Sequence, residues 1–149
     1  MKITAPVIAE ALAIPAGRVH SLIASGHFEP MDRTSNLPGR GRDWTDNDIA
    51  RLVVLLRLQD VGLDPAIGQD IPRIDPPAGK HFFVADVFDI HHQCGVKAPG
   101  DFRVRIVSAE DLADLFQRGQ SAAHVISLDS VFGDVERVVR LRNEVAAWA

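Results

Sequence analysis

Three side chains able to bind a borderline or soft metal lie together at His91, His92 and Cys94. Imidazole nitrogen and thiolate sulfur are the usual ligands of zinc-like ions, and His81 and His124 belong to the same chemical class. The spacing fits no established zinc template, and a chain with one cysteine has no paired Cys-x-x-Cys motif. The expectation is therefore a loop between strands, with no bound metal. Asp86 and Asp89 beside His91 offer groups for acid–base work, but no nucleophile elbow accompanies them. Gly39-Arg40-Gly41-Arg42 is too short for a phosphate-cradling loop and lacks its Lys-Ser/Thr ending. Neither an enzyme nor a cofactor is expected. A second set of residues suits nucleic acid instead. Arg18, His20 and Ser21 stand close together, and Arg33, Arg40 and Arg42 lie among Pro38, Gly39 and Gly41. Guanidinium groups fork onto guanine edges or phosphates, and glycines let a hairpin tip approach a phosphate backbone.

The elements that must position these residues follow from apolar spacing and punctuation. Thr4 caps a helix that accepts Pro6 in its first turn and carries Val7, Ile8, Ala11 and Leu12 on one face. Pro15 opens a second short helix bearing Val19, Leu22 and Ile23, which Gly26 closes. The pair forms a helix-turn-helix pattern, with Arg18, His20 and Ser21 early in the second helix, where base contacts are presented. Residues 31–44 have the turn chemistry of a β-hairpin, a wing. Thr45-Asp46-Asn47-Asp48 begins a third helix that runs to Gly62, and Asp64-Pro65 caps a short helix to about Ile71. Three prolines and a glycine between Ile71 and Gly79 mark a linker. Beyond it, 81–88, 102–107 and 123–128 read as strands. Ser108 caps a helix ending at Gly119, and Ser130 to Trp148 forms a long last helix. In that helix Val131, Val135, Val138, Leu141, Val145 and Trp148 make an apolar stripe near coiled-coil spacing.

Order and spacing in the first half resemble the winged helix-turn-helix of the mercury-resistance regulator (MerR) superfamily. The matching pieces are Ile8-Ala9-Glu10-Ala11-Leu12 with Ile14, then Gly26-His27-Phe28-Glu29-Pro30, then the run from Gly41 to Leu52, and Leu58 to Asp64. The resemblance covers about residues 3–71. It implies DNA-facing positions for Arg18, His20 and Ser21, makes Arg42 and then Arg40 the phosphate contacts of the wing, and implies a homodimer. Gly17 stands where the superfamily usually has a basic residue, and Ser21-Leu22 replaces its common aromatic pair.

The expected organisation is α+β: a MerR-like winged helix-turn-helix over 1–71, a linker over 72–80, and a small α/β dimerisation or sensor module over 81–149 with a long C-terminal helix. The chain of 149 residues carries 16 basic and 20 acidic side chains, a net charge of −4. That balance excludes a histone-like, purely electrostatic binder of nucleic acid. Residues 1–71 hold 7 basic and 9 acidic groups, with Asp32, Asp43, Asp46 and Asp48 flanking the wing, while the second helix has Arg18 and no acid. A single cysteine fits a reducing compartment. Neither a signal peptide nor a membrane span is expected, so the expected location is the cytoplasm. The functional expectation is a dimeric transcriptional regulator that binds double-stranded DNA, with a prophage or mobile-element setting compatible with it. The rivals are a protein-interaction adaptor using the winged-helix surface and a metal-responsive sensor through His91, His92 and Cys94.

Overall fold

A computed structural model of the chain describes residues 3–31, 44–76, 79–87, 102–117 and 123–147. Helix α1 (Ala5–Ala11) carries Pro6 in its first turn, where a missing N–H leaves no bond unmade. Thr4 precedes it in extended conformation without a side-chain capping bond. The chain turns through Leu12 to Pro15 and enters α2 (Ala16–Ala24); Gly26 follows at φ 75°, where a β-carbon would be strained. Helix α3 (Asp46–Asp60) starts as its sequence dictates, with the Asp48 amide donating to Thr45 Oγ1 at 3.2 Å. Asp64 then caps Pro65–Gln69, a tight 3-10 helix that ends two residues short of the expected Ile71.

The second half contributes strands β1 (His81–Val87), β2 (Phe102–Ser108) and β3 (Ala123–Ser127), with α4 (Ala109–Gln117) between β2 and β3 and α5 (Leu128–Ala147) after β3. The sheet order is β2-β1-β3, antiparallel throughout, with Phe83 opposite both Ile106 and Ile126. Five α-helices and this three-stranded sheet make the described residues a mixed α+β arrangement. Ser108 ends β2 and caps α4, accepting from the Asp111 amide at 3.1 Å.

Helix α3 organises the core. Asn47 to Leu56, and Leu58, are all buried, so the helix is enclosed on every side. Helix α5 packs against α3 and α1 and also against β1 and β3. Consequently one buried cluster runs from Ile3 and Ile8 through Leu52 and Leu55 to Phe83, Leu128, Val131, Val135 and Val138. The stretch expected as a linker is neither helix nor strand over 72–76, and its Ile74, like Ile71 just before it, is buried in this cluster. Arg57 of α3 reinforces the packing, donating to Ser130 Oγ at 2.9 Å and to Asp134 Oδ2 at 2.6 Å. The first three members of the α5 stripe, Val131, Val135 and Val138, are thus buried within this chain, Leu141 is partly buried, and Val145 is exposed. Trp148 lies outside the described residues.

Candidate functional site

Helix α2 has one rooted face and one open face. Val19 and Leu22 are buried, whereas Gly17, His20, Ser21 and Ala24 are exposed at the three- and four-residue steps that share a helix face. The open face bears no carboxylate. Two small residues leave the backbone accessible there, and His20 and Ser21 supply the hydrogen-bonding groups.

Arg18 is turned to a different task. Its Nη2 donates to the Leu56 carbonyl at 3.0 Å, to Gln59 Oε1 at 3.4 Å and to Asp60 Oδ1 at 2.7 Å. These acceptors lie at the C-terminal end of α3, where the helix dipole favours a cation. A fork onto a base edge would have to give up those bonds. Of the expected DNA-facing residues, then, the structure brings His20 and Ser21 onto one open face and directs Arg18 towards α3.

A buried polar cluster roots the other end of this region. Asp48 and Arg51 are 0% and 3% exposed, and their charges approach to 3.8 Å. Asp48 Oδ1 accepts from the Met31 amide at 2.8 Å and Oδ2 from the Thr45 hydroxyl at 3.1 Å. Arg51 donates from Nη1 to the Glu29 carbonyl at 3.0 Å and from Nε to the Ile71 carbonyl at 3.1 Å. Its guanidinium lies 5.3 Å from the centre of the Phe28 ring, which stacks on Trp44 with centroids 5.6 Å apart. The Ile74 amide completes the cluster by donating to Asn47 Oδ1 at 2.8 Å. Of the residues bordering the arginine-bearing segment, Met31 thus bonds directly to the buried ion pair, and Trp44 is linked to it through the Phe28 ring. Sequence reasoning treated Asp48 as an acid flanking the wing and missed this role. The one trace in the sequence is a charged i,i+3 pair at the start of an apolar run, which by itself reads as a solvated helix face.

Arg33, Arg40 and Arg42, and likewise His91, His92, Cys94 and Asp89, lie outside the described residues. His81 and His124 are described, and the sheet keeps them apart. His81 pairs with Ser108 and His124 with Ala85, four residues further along β1, a separation of about 13 Å at the usual strand rise. No group of three or more metal-ligating side chains occurs among the described residues. A groove of about 390 Å³ between α1 and α5 is lined by Glu10, Ala11, Arg137, Arg140, Leu141 and Glu144. Among the described residues no helix is long and apolar enough to cross a membrane. No protein-family model matches the chain, and comparison with curated proteins gives no match.

Proposed function

We propose that this chain is a sequence-specific regulator of transcription that binds double-stranded DNA through a MerR-like winged helix-turn-helix, acting in the cytoplasm as a homodimer. The observation that carries this reading is the open face of α2. Gly17, His20, Ser21 and Ala24 form an exposed, acid-free stripe opposite the buried Val19 and Leu22. A helix that enters a major groove needs an outer face of this kind: small enough for close approach, with a few polar groups for base edges. The burial of Asp48 against Arg51 also removes one carboxylate from the surface beside the arginine-bearing segment, which eases the electrostatic objection to phosphate contact. Dimerisation follows from the scarcity of cations, because two protomers double the contacts and read two half-sites.

Unbiased selection from a random DNA library, followed by sequencing, tests the proposal. A two-fold symmetric enriched motif is the expected result. Absence of any enriched sequence at low salt would remove DNA recognition. The adaptor reading draws on the excess of 9 acidic over 7 basic groups in residues 1–71, and it gains if the same selection fails.

A further inference from the structure

We propose that His20 is the specificity-determining residue of α2 and that Arg18 is a positioning residue, holding α2 against the end of α3. The inference rests on the DNA-binding reading above and assigns the division of labour within it. Both residues are polar, both lie early in the same helix, and the sequence alone favours Arg18 as the reader of a base. The geometry separates them. His20 follows Arg18 by two positions, about 200° round the helix, and lies on the exposed stripe with Gly17, Ser21 and Ala24. Arg18 spends Nη2 on three acceptors at the end of α3: the Leu56 carbonyl, Gln59 Oε1 and Asp60 Oδ1. An imidazole nitrogen on an open helix face suits a single hydrogen bond to a purine edge, whose N7 is an acceptor in both adenine and guanine. Ser21, one step further round, can add a second bond or a phosphate contact.

The test compares wild type, His20→Ala, Arg18→Ala and Arg18→Lys in the same DNA selection. Thermal midpoints are measured for each, and affinity is read at a temperature where every variant is folded. His20→Ala should keep its thermal midpoint and lose preference at one base position of each half-site, with roughly five- to tenfold weaker binding to the wild-type motif. Arg18→Ala should select the unchanged motif, melt at a lower temperature and bind operator and random DNA more weakly by a similar factor. Arg18→Lys, which keeps a cation within reach of Asp60, should recover part of that affinity. Loss of a base preference in Arg18→Ala, or an unaltered motif in His20→Ala, overturns the assignment and leaves DNA recognition standing. Unchanged operator affinity of folded Arg18→Ala overturns the positioning role. If wild type enriches no motif, the DNA-binding reading falls and takes this inference with it.

Discussion

Gly68 and Gly133 are the same residue type in opposite circumstances. A β-carbon on Gly68 would collide with the His27 carbonyl oxygen and lie 2.8 Å from Leu55 Cδ2, because the 3-10 helix presses against the turn that closes α2. A β-carbon on Gly133, within α5, meets nothing within 4 Å. Gly68→Ala should therefore lower unfolding stability by about 1–3 kcal/mol through overpacking, and Gly133→Ala should raise it by about 0.5–1 kcal/mol through helix propensity. Urea titration of both variants checks the pair of opposite signs. Arg51 is the costlier position. Replacing it with Leu leaves Asp48 as an unpaired buried charge and strips donors from the Glu29 and Ile71 carbonyls, so a loss of about 3–5 kcal/mol is expected. Against a typical total of about 5–15 kcal/mol, that variant should be largely unfolded at moderate urea. The identities of Asp48 and Arg51 were plain in the sequence, but their burial was not. An i,i+3 charged pair reads as a solvated helix face until the chain segments at Glu29–Met31 and Ile71–Ile74 are known to close over it.

At the scale of elements, what was legible depended on how local the cause was. Caps and breakers act within one turn, so Thr45, Asp64 and Ser108 marked their helices correctly, and Gly26 and Gly62 follow their helix ends at positive φ. The strands also fell close to the β-rich runs, with β1 at His81–Val87 and β3 at Ala123–Ser127. The partner of a face is not local. The α5 valines gave a stripe that a second copy or this chain's own core would satisfy equally well, and nothing in a 3.5- or 3.6-residue period distinguishes the two. The structure places Val131, Val135 and Val138 among residues of α1, α3 and the sheet. Val135→Ala or Val138→Ala should accordingly cost about 1.5–3 kcal/mol, from lost transfer energy plus a residual cavity. That cost should be independent of protein concentration. A stripe buried between copies would instead make the difference between wild type and variant change with concentration, and unfolding curves of both over a hundredfold range would reveal it.

For the whole molecule, the excess of 20 acidic over 16 basic groups matters less than where the cations are engaged. Arg18, Arg51 and Arg57 are three of the seven basic residues in 1–71. Each is held by partners in the chain: the end of α3, the Asp48 cluster, and Ser130 with Asp134. On the DNA-binding proposal, phosphate neutralisation in the N-terminal half is assigned chiefly to Arg33, Arg40 and Arg42, which gives an expected salt dependence. Each neutralised phosphate contributes about −0.9 to the slope of log K against log salt, so three arginines give a slope of about −2.7 per protomer and about −5.4 for a dimer. Changing all three to Gln should flatten the slope towards zero while the base preferences supplied by α2 persist at low salt. Arg42→Ala alone should weaken all sequences alike and remove about one unit of slope per protomer. Binding titrations across a range of salt concentrations read both effects. A slope unchanged in the triple variant would mean that the phosphates are met elsewhere, and that Arg33, Arg40 and Arg42 are not the anchor proposed for them.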